Sequence, residues 1–490
     1  MNKNASYKQI IKSTSIFGGS QFLIILIGII RTKIVAVLLG PVGVGIIGIY
    51  QSIIDMMRSG YSLGLDTAGV KEIAEADGKE DRDAFHKTVT RFNRWFKALA
   101  LAGLVSCVVF CYPISLWVFE DSSYALPIAL LSMSVFLAIL TTGKSSVLQG
   151  MRKIPEMAKS AILGSLFGLI FSIPVYYFWG LEGIVPAFIG TGLISFLCVE
   201  FYYRKQHVKD SGMSNNEAFK TGLGTLKLGI FIVISALVST VSMLLVRAFI
   251  TRNTDIDAAG LFQAAWTITN VYLGLILRSM GSDFFPRLSA VADKKEQVKN
   301  LVNEQSYIVL IIASPVIVGM LLFSDFALTI LYSDKFAQAN GLLCWQIAGS
   351  FFKVLSWPIA FIMLAKNKGL LFFITEVIYY AVYLLSSYLL YPRYGLEALG
   401  IGYLAAYIVY LPVVFIIGYR VSAFGWRKNV LIMTVINLVL IAAAFYSTQY
   451  MDGHKLLPGA IALCLALLYA YFNLRKVFSL KDIKGWHKKE

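Results

Sequence analysis

Four ionisable side chains, Arg31, Lys33, Asp55 and Arg58, stand in a stretch, 24–62, that is otherwise oily enough to form two membrane helices turning at Gly40-Pro41. A charge at the centre of a membrane helix costs at least about 2.5–3.5 kcal/mol on insertion scales, so such groups face a bundle interior or a wet cavity. Gln51, Asp55, Arg58 and Ser62 follow one another at steps of 4, 3 and 4. That spacing puts them on one face of a helix as a polar stripe. A guanidinium offers a planar fork of donors that suits phosphate. The chemistry to consider first is therefore capture of an anion at membrane depth.

Three more basic residues, Arg247, Arg278 and Lys353, lie within apolar segments. Asp55 and Glu376 stand against them, with Asp66, Glu200 and Asp283 nearer the cytoplasmic ends. The balance is cationic. Asp55 and Arg58, three residues apart, can pair on one helix. Arg247 and Arg278 lie near helix ends, from which they can also snorkel. Lys353 stands near mid-segment in Phe351-Phe352-Lys353-Val354, where snorkelling is harder. Glu376 is either a partner for a basic residue or a proton carrier, and Asp55 is a second candidate for ion coupling. Tyr50, Tyr61, Trp266 and Tyr272 lie on or beside the stripes, where they can pack or stack on sugar rings.

The elements that position these residues are long and apolar. Of the 490 residues 57% are hydrophobic and only 15% are charged, with a mean hydropathy of +0.70. A soluble chain carries about a quarter charged residues. Fourteen apolar segments of bilayer length are expected, at roughly 14–38, 42–66, 97–119, 123–147, 157–179, 183–203, 225–250, 258–281, 304–323, 338–364, 369–391, 396–418, 429–448 and 457–474. The chain reads as an all-α polytopic membrane protein. With the N-terminus in the cytoplasm, 34 of the 44 Lys and Arg fall in cytoplasmic segments and only Arg252, Lys335, Arg393 and Lys455 in outer loops. That bias places both termini in the cytoplasm. It also accounts for the net charge of +16 and excludes a nucleic-acid partner. The basic leader with Lys3, Lys8 and Lys12 precedes a long apolar run without a small-residue cleavage site, so an uncleaved first helix is expected. The five cysteines sit in apolar runs without His or carboxylate companions, so no metal is expected. No phosphate loop appears, no soluble segment is large enough for an enzyme, and no cofactor is implied.

A repeat organises the chain. Gly48-Ile-Tyr50-Gln51-Ser52 recurs as Gly260-Leu-Phe262-Gln263-Ala264, and 76–80 recurs as 292–296. The stripe moves with it, onto Gln263, Thr267, Asn270 and Gly274, with Arg278 one turn further. The offset spans six segments, an even number, so the halves share one orientation, as in parallel repeats. The expected organisation is an N-lobe over 1–212, a C-lobe over 213–420 and a C-terminal helix pair with a basic tail over 421–490. Two six-helix lobes would surround a central cationic cavity.

Three stretches carry a family resemblance: 33–45 with its Gly40-Pro41 turn, the region from Gly260 to Ser289, and a block from Ser333 through Trp345-Gln346, Lys353, Lys366 and Glu376 to Tyr410. The chain resembles the bacterial flippases for undecaprenyl-pyrophosphate-linked oligosaccharides, the O-antigen and enterobacterial common antigen translocases. These belong to the multidrug/oligosaccharidyl-lipid/polysaccharide exporter superfamily. The resemblance implies alternating access in the inner membrane and a lipid-linked glycan as substrate. A polysaccharide polymerase and a chain-length regulator are the implied partners. It carries a substrate-binding role onto Arg31, Lys33, Arg58, Arg247 and Arg278, and the block motif adds Lys353. The stripes add Asp55, Gln263 and Asn270. A multidrug antiporter of the same superfamily is the alternative; it would need an acid-rich cavity. The two C-terminal helices are a departure, since oligosaccharide flippases of this kind often stop near twelve.

Overall fold

The computed structural model describes the backbone of residues 3–78, 82–451 and 456–477. Side chains are described for most of these, not for 3–18, 216, 220–232, 271–273, 275, 276, 278, 279, 282, 283, 456, 476 or 477. The leader lysines, Tyr272, Arg278, Asp283 and the tail beyond 477 therefore lie outside the described side chains.

Among the described residues the secondary structure is helical. The first helices are α1 (Lys3–Ser62), α2 (Leu65–Gly78), α3 (Arg82–Val109), α4 (Cys111–Phe119), α5 (Ala125–Gly150), α6 (Ile154–Trp179), α7 (Ile184–Arg204) and α8 (Asn215–Asn253). They are followed by α9 (Ile256–Thr267), α10 (Leu273–Ala290), α11 (Lys295–Leu322), α12 (Ser324–Leu331) and α13 (Asn340–Ala365). The last are α14 (Gly369–Tyr394), α15 (Ala398–Ser422), α16 (Lys428–Tyr450) and α17 (Leu456–Val477). Ten helical stretches among the described residues are long and apolar enough to cross a membrane. Three of them, 19–62, 154–204 and 369–422, each hold two of the expected segments. The chain is a multi-pass membrane protein.

Each of these long stretches is broken by a glycine. In α1 the break is Gly40, at φ 64°, and Pro41 follows it. Proline removes a helical N–H and clashes with the carbonyl four residues back, and glycine alone takes that φ without cost. Gly180 and Gly395 end α6 and α14 at nearly the same conformation, φ 51°, ψ −129° and φ 52°, ψ −132°.

That coincidence belongs to a larger one. Helices α6 and α14 are each 26 residues long and start 215 positions apart, as do α5 and α13, also 26 residues each. The turns into α6 and α14 match bond for bond. Lys153 N donates to the Leu148 carbonyl at 2.9 Å and Lys368 N to that of Met363 at 2.8 Å, and Arg152 and Asn367 both take positive φ, 56° and 54°. The duplication read from short motifs is thus repeated in helix lengths and turn geometry.

By contacts the chain forms two compact units, 1–261 with 331–333, and 262–330 with 334–490. The division falls within α9 and not at 212. Helix α8, expected to open the C-lobe, packs on α1, α3 and α4 in the first unit. In that unit α1 also meets α9 closely: a Cβ on Gly260 would strike the Pro41 carbonyl oxygen.

In the second unit α16 and α17 both pack on α11. Tyr307 donates to Asn473 Oδ1 at 2.7 Å, and Asn437 Nδ2 to the Leu310 carbonyl at 3.4 Å. The terminal helix pair, expected as a separate segment, is built into this unit by buried amides.

Candidate functional site

The first unit contains a cavity of about 610 Å³. Both halves of α1 reach it. Arg31 comes from before the Gly40 break, and Gln51, Ile54 and Arg58 from after it. Asp66 and Thr67 come from the start of α2. The remaining wall is made by α5, α6 and α7, mostly with small or hydroxylated residues, Thr141, Thr142 and Ser145; Gly164, Ser165 and Gly168; Thr191, Gly192 and Ser195, with Gln149 and Phe188 the larger members. Nine of the lining residues are Ser or Thr, which makes this a polar chamber between apolar helices.

Three of its hydroxyls are oriented by their own helices. Thr141 Oγ1 donates to the Leu137 carbonyl at 2.8 Å, Thr142 to that of Ala138 at 2.9 Å, and Thr191 to that of Ala187 at 2.7 Å. Each proton is committed, so the lone pairs remain to accept. The chamber thus joins two guanidinium groups to a hydroxyl-rich wall that presents acceptors at these three positions.

The stripe on α1 forms as its spacing predicts. Gln51 Nε2 donates to Asp55 Oδ2 at 3.2 Å, and Asp55 Oδ1 pairs with Arg58 Nη2 at 2.9 Å. The Arg58 side chain keeps 45% of its surface, so the pair does not seal it off. Arg31 Nη2 donates to the Tyr176 hydroxyl at 3.4 Å. Asp66 lies at the end of the chamber, beyond the first span. Burial pushes its carboxyl above the usual carboxylate range, opposed by hydrogen bonds from backbone N–H groups and by the Arg58 charge.

Other expected site residues stand elsewhere. Lys33 is half-buried on α1 and is not among the chamber's lining residues. Arg247 is buried on α8, with Nη1 donating to the Met243 carbonyl at 3.3 Å. Tyr50 is buried against the rings of Phe119 and Phe188, and the Tyr61 hydroxyl bonds to Ser106. The side chain of Arg278 is outside the described residues.

The second unit brings the remaining ones together in a different way. Gln263 Nε2 donates to Thr267 Oγ1 at 3.1 Å. A π-helical turn at Ile268–Tyr272 carries Asn270, whose Oδ1 accepts from Lys353 Nζ at 2.7 Å and from the Tyr403 hydroxyl at 3.5 Å. Glu376 Oε1 accepts from Tyr410 at 3.5 Å, and the Lys353 charge acts on Glu376. Tyrosines surround this network. Tyr379, Tyr383, Tyr403, Tyr407 and Tyr410 pack with ring centroids 4.6 to 6.5 Å apart.

The 215-residue offset aligns the two sites. Gly164, Ser165 and Gly168 on α6 correspond to Tyr379, Tyr380 and Tyr383 on α14. Gly192 and Ser195 on α7 correspond to Tyr407 and Tyr410 on α15. Ala138 corresponds to Lys353. Where the first unit is hollow, the second is filled with rings.

The hydroxyl and glycine positions of the chamber were not among the expected site residues. Their signal was present: Thr142, Ser146 and Gln149 step by 4 and 3, and Gly164 and Gly168 by 4, the same helical spacing that marks the Gln51 stripe.

A family model described as "Polysaccharide biosynthesis protein" matches residues 34–340. The chain belongs to that family. The lipid III flippase of Escherichia coli (strain K12) is 22% identical over 395 residues, covering 78% of this chain and 92% of that protein. A Shigella flexneri protein provisionally named an O-antigen transporter is 29% identical over 379 residues, covering 74% and 87%. The solved structure of the lipid II flippase MurJ in an inward closed conformation superposes with a TM-score of 0.73 at 16% identity, covering 94% of this chain and 98% of that one. An inward-facing multidrug resistance transporter of the MATE family, described as of the MOP superfamily, gives 0.68 at 16% identity, with 82% and 95% covered. At such identities the likeness establishes the fold.

Proposed function

We propose that this protein is a flippase that moves undecaprenyl-pyrophosphate-linked oligosaccharide from the cytoplasmic to the periplasmic leaflet of the bacterial inner membrane by alternating access. The observation that carries the reading is the chamber of the first unit, which sets Arg31 and Arg58 against a wall of hydroxyls and small residues. The arginines suit a pyrophosphate and the hydroxyls suit sugar rings, while the polyprenyl tail stays in lipid. The family and the flippase relatives support the same substrate class. No transported group forms or breaks a bond in this reading, and no cofactor is called for. A multidrug antiporter is the weaker reading, because two guanidinium groups would repel a cationic drug.

Deletion of the gene should leave lipid-linked repeat units accumulating on the cytoplasmic side, with surface polysaccharide lost. Unchanged surface polysaccharide in a strain without a substitute flippase would sink the proposal. Inside-negative potential favours outward movement of an anionic headgroup by about 2.3 kcal/mol per charge per 100 mV. Collapsing the potential at constant pH gradient should therefore slow transport.

A further inference from the structure

The second unit holds a cleft of about 900 Å³ at the far end of its spans, unrelated to the tyrosine network. Its lining includes Ser289 in the last turn of α10 and Asp293 after it, the turn Lys366-Asn367-Lys368 between α13 and α14, and Arg420 in the last turn of α15. Lys366 Nζ donates to the Val421 carbonyl at 3.3 Å, which ties the turn to the end of α15. Three cations thus converge on one space, and Asp293 is the one carboxylate in the lining. The lysine and arginine bias puts this end of the unit in the cytoplasm.

A positive-inside bias explains basic residues on this side; it does not explain their convergence on a cleft. The duplicated turn of the first unit makes a useful contrast. There Glu156 holds the position that Leu371 takes here, so an acid accompanies Arg152 and Lys153. In the second unit the acid has been replaced by a leucine. Below the cleft, Leu370, Ile374 and Val377 on α14 are exposed at steps of 4 and 3, an apolar track along one face of a membrane helix.

From this geometry we infer that the cleft binds the phosphate headgroup of an anionic phospholipid of the bilayer, gripped by Lys366, Lys368 and Arg420, with its acyl chains along the exposed face of α14. Basic pockets between membrane helices on the cytoplasmic side recognise anionic lipid headgroups in this way. The occupant is a bilayer phospholipid and not the transported molecule, because the neutral polar groups of the lining are few, Ser289 and Asn367 with backbone, and offer no wall for sugars. The site does not depend on the proposed transport function.

The test uses the purified full-length protein in neutral detergent, with retained lipid counted by non-denaturing mass spectrometry. Phosphatidylglycerol should be retained in preference to phosphatidylcholine, and salt should weaken the retention. The triple variant Lys366→Gln, Lys368→Gln, Arg420→Gln should lose on the order of a hundredfold in phosphatidylglycerol retention, since each charge near an anionic headgroup is worth about fivefold. If that variant misfolds, Lys368→Glu alone tests the same point at an exposed position. The pair Arg152→Gln, Lys153→Gln in the duplicated turn should change nothing. Equal retention of the two phospholipids, or an equal loss from the Arg152 and Lys153 pair, would overturn the proposal. Preferential binding of undecaprenyl phosphate over phosphatidylglycerol at the same three residues would also overturn it, by making the occupant a carrier lipid.

Discussion

The two units carry one duplicated helical plan and opposite interiors. In the first, Gly164, Gly168, Gly192 and Ser195 leave space, and hydroxyls and two arginines line it. In the second, Tyr379, Tyr383, Tyr407 and Tyr410 stand at the same register and close it, with Lys353 bonded to Asn270 among them. The identical turns at Arg152 and Asn367 and at Gly180 and Gly395 show that the backbone plan tolerates either interior. What separates a polar chamber from a packed core here is therefore side-chain volume at a few helix positions. Charge alone does not separate them, since both interiors contain basic residues.

The largest expected effect comes from giving the first unit the second unit's residues. A Cβ on Gly168 or Gly192 would meet its neighbours at 3.4 and 3.6 Å, so alanine fits at either position. Gly168→Tyr with Gly192→Tyr should fill the chamber and reduce surface glycan to background, while the protein remains in the membrane at a normal level. The corresponding alanine variants should transport normally. Normal transport by the tyrosine pair would show that the chamber is not used.

Next come the arginines. Arg31→Gln and Arg58→Gln should each lower transport by about 10- to 100-fold, the worth of a hydrogen bond to a charged group. The neutral pair Asp55→Asn with Arg58→Gln should stay inactive although it leaves no buried charge unpaired. Recovery of full transport in that pair, measured in membrane vesicles, would reduce Arg58 to a structural partner of Asp55.

In the second unit the expected loss is one of stability. Lys353→Gln removes the charge that Asn270 accepts from and should cost about 1–3 kcal/mol. Its thermal unfolding in detergent should move down, with transport per folded molecule nearly unchanged. A folded, fully stable but inactive Lys353→Gln protein would instead give this residue the substrate role that the sequence block implies.

The smallest effect concerns Asp66. Burial holds its folded-state carboxyl above the ordinary range, so the folded protein takes up a proton there before the unfolded chain does. That contribution to stability is present at low pH and is lost as pH rises through the raised value. Protonation also removes a negative charge beside Arg58, so transport of an anion should rise modestly as pH falls through that window. Asp66→Asn should abolish the pH dependence. A pH profile that is the same in the variant would assign it to another group.

How much of this was readable in the chain depended on whether a residue announced itself. Charges in an oily stretch do so, and the Gln51–Asp55–Arg58 line needed only helical spacing. Glycines and serines in apolar helices do not, because their contribution is the volume they leave empty, and that volume exists only once α5, α6 and α7 are packed. Lys353 was legible as an unusual charge, but its partner was not. Asn270 reaches it from a π-helical turn that spacing rules for an α-helix do not anticipate. The boundary at 212 followed from counting segments, whereas the packing of α8 on α1 is a tertiary preference that hydropathy cannot encode. Asn437 and Asn473 were a signal left unread: an amide in an apolar span needs a partner, and α11 supplies one to each.

The committed hydroxyl protons of Thr141, Thr142 and Thr191 set what kind of discrimination the chamber can exercise. At those three positions the wall accepts from any polyol able to donate, without fixing in what order or at which ring carbon the donors occur. Such a wall counts hydroxyls more readily than it distinguishes epimers. If the chamber carries glycan as proposed, it should be permissive towards the identity of the sugars and strict about their bulk, and fidelity to one repeat unit would rest with the enzymes that assemble the glycan before it arrives.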